Sequence, residues 1–178
     1  MPEQPSTPVP GPRHLVVMGV SGVGKTTVAE QLAVRLEYEF AEGDDFHPPA
    51  NIDKMSSGVA LDDEDRWPWL RALADWVRER HQQGVSTVMT CSALRRSYRD
   101  VLREGAVNTF FVHLTGEQAL LLERMAGRKH FMPPALLQSQ FATLEGLEPD
   151  EPGITVDVTD PPERIVAKVV DDLALESG

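Results

Sequence analysis

A chain of 178 residues with 41% hydrophobic and 25% charged content has the make-up of one soluble globular domain, large enough to bury a core without disulfides or structural metals. Seventeen Lys plus Arg against 28 Asp plus Glu give a net charge of −11, which repels nucleic acid over most of the surface. No apolar run approaches the roughly 20 residues of a membrane span, and the single cysteine, Cys91, rules out an internal disulfide. These features point to a reducing cytoplasm and away from a membrane.

Met1 to Pro12 carries five prolines and reads as a disordered lead, leaving residues 13–178 as a single domain. His14 to Met18 is a continuous apolar run ending at a glycine, the pattern of a strand buried on both faces. From Lys25 the period changes, with Val28, Ala29, Leu32, Ala33 and Leu36 at helical spacing. A short strand is expected around Glu39 to Ala41, and a helix with Trp67, Leu70, Leu73, Ala74 and Val77 on one face. Strand patterns return at Ser86 to Cys91, Thr109 to Leu114 and Ile154 to Val158. Helical stretches follow at Leu94 to Arg103, Gly116 to Gly127 and Pro162 to Leu175. Such alternation predicts an α/β fold of three layers, a central parallel sheet with helices on both faces. Two polar stretches break the alternation: Glu42 to Trp69, and the basic loop Gly127 to Pro134, which reads as a short lid.

Between the first strand and the first helix lies Gly19-Val20-Ser21-Gly22-Val23-Gly24-Lys25-Thr26, followed by Thr27. Its glycines let successive N–H groups converge on phosphate oxygens at a helix N-terminus. Lys25 then reaches the β and γ phosphates, and the Thr26 hydroxyl is placed to ligate Mg²⁺. A plain glycine-rich turn would not need every fixed position in this context. ATP, bound by Gly19, Ser21, Gly22, Val23, Gly24, Lys25, Thr26 and Thr27, is therefore the expected cofactor. The guanine-reading Asn-Lys-x-Asp motif of a GTPase is absent, and the strand ending at Cys91 carries no carboxylate for the metal. Asp44 or Asp45 is left as the donor, directly or through water.

Phosphoryl transfer to a hydroxyl needs a carboxylate beside the attacking oxygen. Asp44, just after the second strand, is the candidate and Asp45 its rival; a solvated turn is the bland alternative for either. His47, Asn51 and Lys54 follow at spacings that share one helical face and could hold a polyhydroxy chain. Ser92, Ala93 and Arg95 follow the third strand at the same sheet edge. Arg96 and Arg99 are expected to pair with nearby acids such as Asp100. Arg124 and Arg128 lie four apart and lead into Lys129 and His130, where the dipole at a helix C-terminus would also favour cations.

Five blocks resemble the gluconokinase family, in family order. They are Met18 to Thr26, Gly43 to Pro48 (Gly-Asp-Asp-Phe-His-Pro), Asn51 to Met55 (Asn-Ile-Asp-Lys-Met), Leu61 to Leu70 and Cys91 to Arg95. The similarity runs from about His14 to Leu175. The resemblance implies ATP-dependent phosphorylation of D-gluconate at its 6-hydroxyl on a nucleoside-monophosphate-kinase-like fold, commonly as a homodimer. It makes Lys25, Asp44 and Arg128 the expected catalytic set. His47, Asn51, Lys54, Ser92 and Arg95 become gluconate contacts, and Arg66 a fork for the gluconate carboxylate, an internal salt bridge being the alternative. Arg124 falls on the adenine side and Arg128 on the transferring phosphate. A shikimate- or nucleotide-type kinase would share loop and lid but not the block from His47 to Leu70. A non-catalytic regulator would be expected to lack Lys25, Asp44 or Arg128.

Overall fold

A computed structural model describes residues 11–126 and 134–173. Its core is a five-stranded, all-parallel sheet in the order β2-β3-β1-β4-β5, with β1 His14–Met18, β2 Glu39–Glu42, β3 Thr87–Thr90, β4 Thr109–Thr115 and β5 Gly153–Asp157. Central β1 is buried along its whole length, as its unbroken apolar run requires. The flanking helices are α1 Lys25–Leu36, α2 Pro49–Ser56, α3 Asp63–Gln82, α4 Arg96–Arg103, α5 Gln118–Ala126, α6 Pro134–Thr143 and α7 Pro162–Asp172. Helix α1 buries Val28, Ala29, Leu32 and Ala33 and packs on α7, while α3 packs on α4. No helix among the described residues is long and apolar enough to cross a membrane.

The five strands and helices α1, α4 and α5 agree with the expected ones to within about two residues, α7 ends at Asp172 short of the expected Leu175, and α2 and α6 had no expected bounds. Helix α4 starts at Arg96 rather than Leu94 because Arg95 is extended, at φ −115° and ψ 151°, and stands as the N-cap after a left-handed Ala93 at φ 45°. Trp69, rather than Trp67, joins Leu70, Leu73, Ala74 and Val77 in the buried stripe of α3, since 69, 73 and 77 repeat at four. Pro12, expected in the loose lead, has its carbonyl held by the Asn108 side-chain amide at 3.2 Å. Leu175 lies outside the described residues.

Arg99 corrects another expectation. It pairs not with Asp100 but with Glu151, through Nε at 2.7 Å and Nη2 at 3.0 Å, and both side chains are fully buried. Its remaining donors reach the carbonyls of Ala93, Glu145 and Gly146 at 2.9 to 3.1 Å. A buried guanidinium is tolerated only when every donor is used, and here the bonds hold the strained turn at Ala93 to the segment before β5. Arg96 does reach Asp100, at 3.7 Å, but holds Asp150 closer, at 2.6 Å, together with Glu148. Arg99→Leu is expected to lower unfolding stability by about 3–5 kcal/mol, because Glu151 is left buried and unpaired. Urea titration of the variant against the wild type measures this.

Candidate active site

In a parallel sheet the carboxyl ends of all strands share one edge, and the order β2-β3-β1 brings three of them together. The Gly19 N–H donates to the Ser92 carbonyl at 3.2 Å and the Gly43 N–H to the Thr90 hydroxyl at 3.0 Å. Gly43 admits no side chain, since a Cβ would fall 1.9 Å from the Thr90 carbonyl oxygen. The turn after β2 is thereby pressed against the end of β3, the strand beside the one that leads into the phosphate loop.

Within the loop, Gly24 holds a left-handed φ of 95° and starts α1 at Lys25. The Lys25 ammonium folds back on the carbonyls of Gly19 and Val20 at 2.9 and 3.2 Å. Burial lowers its pKa, against the opposing pull of the Asp44 carboxylate. The Ser21 N–H donates to the Gln140 side-chain carbonyl of α6 at 2.7 Å, a contact with no signal in the sequence.

The Thr26 hydroxyl donates to Glu42 Oε2 at 2.8 Å, and Thr90 donates to Glu42 Oε1 at 2.5 Å. Glu42 ends β2 next to β3, so the carboxylate missing from the end of β3 is supplied by its neighbour. The sequence does not mark it: Glu42 ends β2, which β3 separates from the loop strand β1, so only the sheet order and the fold of α1 bring it to Thr26. A hydroxyl and a carboxylate in contact beside the loop are a hard oxygen set that suits a divalent cation also held by phosphate oxygens and water. Among the described residues no cluster of three or more His, Cys, Asp or Glu could hold a metal by itself.

After β2 the chain makes a single 3₁₀ turn, Gly43–Phe46. Asp44 projects from it into a cavity that Ser21 and Lys25 also line; Asp45 is not among the lining residues. The Asp44 side chain is 78% exposed, with one oxygen 3.8 Å from His47 Nε2. His47 is buried, stacked on Trp69 at 4.0 Å between centroids, and Trp69 donates its indole N–H to the Gly43 carbonyl at 2.8 Å. Burial lowers the His47 pKa, and Asp44 opposes the shift while Arg66 adds to it. The ring is therefore neutral at pH 7.

Asn51 and Lys54 do not line this cavity. The buried Asn51 amide lies 3.2 Å from His47 Nδ1 and donates to the Asp65 carbonyl at 2.9 Å. The Lys54 ammonium binds Asp65 Oδ2 at 2.6 Å. Asp62 caps α3 and exchanges side-chain and backbone hydrogen bonds with Asp65, a capping box built from the acidic run. Arg66 does line the cavity. It donates to the Tyr98 hydroxyl at 2.8 Å, and Tyr98 in turn donates to Asp63, so the guanidinium has a phenol rather than an acid as partner. Ser92 lines the cavity too, whereas Arg95 lies 3.6 Å from Asp63 outside it. Leu136, Ser139 and Gln140 of α6 close the far wall.

A second groove, on the other side of the loop, is lined by Gly24, Thr27, Arg124 and the 158–162 segment; Arg124 donates to the Val158 carbonyl at 3.2 Å. Its position at the head of α1 suits a nucleoside. Arg128, Lys129, His130 and the lid expected at 127–134, up to Pro133, lie outside the described residues.

A phosphate loop on a parallel sheet, sharing a cavity with a carboxylate, defines a P-loop kinase. Comparison with known proteins narrows this. A family model described as AAA domain matches residues 15–147. The chain is 52% identical over 162 residues to a gluconokinase from Gluconobacter oxydans (strain 621H), covering 89% of this chain and 90% of that protein. A gluconokinase structure from Sinorhizobium meliloti 1021 superposes with a TM-score of 0.83 at 48% identity, over 93% and 94% of the two chains. An unliganded sugar kinase from Janibacter sp. HTCC2649 superposes at 0.87 with 53% identity, over 94% and 99%. The chain belongs to the gluconokinase family.

Glu42→Gln is expected to leave ATP affinity in EDTA unchanged. It should weaken the added affinity conferred by Mg²⁺ about tenfold, as losing a metal-site partner does. Calorimetric titration with and without the metal separates the two.

Proposed function

We propose that this chain transfers the γ-phosphoryl group of ATP to the 6-hydroxyl of D-gluconate, giving 6-phospho-D-gluconate and ADP. The observation that carries the reading is that Asp44 and Arg66 line the same cavity as Ser21 and Lys25 of the phosphate loop. The acceptor is a chain with a carboxylate at one end and a hydroxyl at the other. Arg66, its guanidinium oriented by Tyr98, suits the carboxylate. Asp44 suits the hydroxyl at the loop end.

In the step itself the hydroxyl oxygen attacks the γ-phosphorus as the bond to the β-phosphate bridging oxygen breaks, and the proton passes to Asp44 or is held by it. Lys25 offers its charge to the phosphate oxygens, exchanging loop carbonyls for them. Mg²⁺, held by Thr26 and by Glu42 directly or through water, would neutralise charge on the β and γ phosphates. Glu42 rather than Asp44 takes the metal on this reading, since Glu42 accepts from the Thr26 hydroxyl. His47 supplies a neutral ring beside the acceptor, and Asn51 and Lys54 support it from behind by fixing the His47 ring and the start of α3. Ser92 is a further hydroxyl contact, and Arg95 acts through Asp63. We assign Arg124 to the adenine side and Arg128 to the transferring phosphate. A cytoplasmic homodimer without nucleic-acid or membrane partners is the reading that family resemblance, charge and the single cysteine support.

The test is ADP release with Mg-ATP across gluconate, other sugar acids, shikimate and nucleoside monophosphates, against a control without acceptor. Acceleration by gluconate alone is expected. Response to a different acceptor would keep the kinase and discard the gluconate assignment. Asp44→Asn is expected to lower kcat by about 10²–10⁴ with ATP binding retained; full turnover in that variant would remove Asp44 from the chemistry.

A further inference from the structure

Gln140 lies on α6, 119 positions from the phosphate loop in sequence, yet its side-chain oxygen accepts the Ser21 N–H at 2.7 Å and its nitrogen lies 3.4 Å from the Ser21 hydroxyl. The same residue lines the cavity that holds Asp44, His47 and Arg66. The two facts place one carboxamide between the sites of both substrates.

Amides of such a loop serve phosphate oxygens. A charged phosphate oxygen makes a hydrogen bond roughly twice as strong as a neutral carboxamide does, so an arriving nucleotide takes the Ser21 N–H from Gln140. The carboxamide, which carries a donor and an acceptor, also lines the acceptor cavity, where a polyol offers both complements. We propose that Gln140 is a ligand shared in turn by the phosphate loop and the acceptor: it occupies Ser21 until nucleotide binds, then turns to hydrogen-bond the acceptor's hydroxyl chain. Its part at Ser21 needs only the phosphate loop, whereas its second part rests on the sugar-acid reading given above.

Two consequences follow from the exchange. Removing the carboxamide frees Ser21, so nucleotide binds more tightly; it also takes a contact from the acceptor, so gluconate binds less tightly. Nucleotide and gluconate therefore strengthen each other's binding through this residue in the wild type, and the coupling is reciprocal.

Calorimetry with Mg-AMPPNP and D-gluconate, each alone and in the presence of the other, tests this on the wild type, Gln140→Leu and Gln140→Glu. In the leucine variant AMPPNP affinity is expected to rise about threefold. Gluconate affinity in the presence of AMPPNP is expected to fall about three- to tenfold, the scale of one or two net hydrogen bonds. In the glutamate variant, where a carboxylate competes at Ser21 and repels phosphate, AMPPNP affinity falls about tenfold. Unchanged AMPPNP affinity in the leucine variant would overturn the exchange at Ser21, whatever the acceptor. Tighter nucleotide with unaltered coupling to gluconate would overturn the second part, and so would equal loss of both affinities with a lowered Tm, the mark of a merely structural role. Wild-type protein that neither binds nor phosphorylates gluconate would instead overturn the acceptor reading, and the leucine variant's AMPPNP affinity would still decide the exchange.

Discussion

A protein of net charge −11 that handles a polyphosphate depends on one arrangement, the convergence of backbone N–H groups at the turn from β1 into α1. Side-chain cations could not carry the task alone against that background. The loop must therefore be held open and correctly aimed by uncharged backbone geometry. The left-handed Gly24 aims it, and the bond from the Gly19 N–H to the Ser92 carbonyl ties it to the strand beside it. The loop's own polar groups are partnered within the chain, Lys25 on the loop carbonyls and Ser21 on Gln140 of α6.

The turn that carries Asp44 is set against the end of β3, beside the strand that leads into that loop, by close backbone contact. Gly43 lies against β3 so tightly that no side chain fits, and Trp69 fixes its carbonyl while stacking on His47. Asp44 can thus be largely exposed and still be well positioned, because the backbone on either side of it is held. Arg66 is oriented in the same way at one remove: Tyr98 of α4 fixes the guanidinium, and Arg99, one residue on, anchors that helix to the segment before β5. A single buried ion pair thereby supports the turn that carries Ser92.

Much of this was legible in the sequence. The parallel α/β plan followed from alternating apolar periods, and the phosphate loop from its fixed spacing. Asp44, His47, Arg66 and Ser92 do line one cavity with Lys25 and Ser21. Other features depend on contacts across long stretches of chain, which periodicity does not encode. Glu42 looks like the end of an edge strand until β3 brings Thr90 against it and α1 brings Thr26. Gln140 belongs to a helix whose sequence gives no sign that it faces Ser21. Asn51 and Lys54 share a spacing with His47, but spacing could not reveal that they turn to Asp65 and the start of α3. In sequence the acid nearest Arg99 is its neighbour Asp100, whereas its partner Glu151 lies 52 positions away.

The central claim is that the acceptor lies between Asp44 and Arg66 with its hydroxyl facing the phosphate loop. A crystal structure of the chain with Mg-AMPPNP and D-gluconate tests it most directly. The account predicts the 6-hydroxyl within about 3 Å of the Asp44 carboxylate and about 3–3.5 Å from the γ-phosphorus, with the sugar carboxylate on Arg66. Gluconate bound in the reverse direction, or outside this cavity while nucleotide fills the loop, would contradict it.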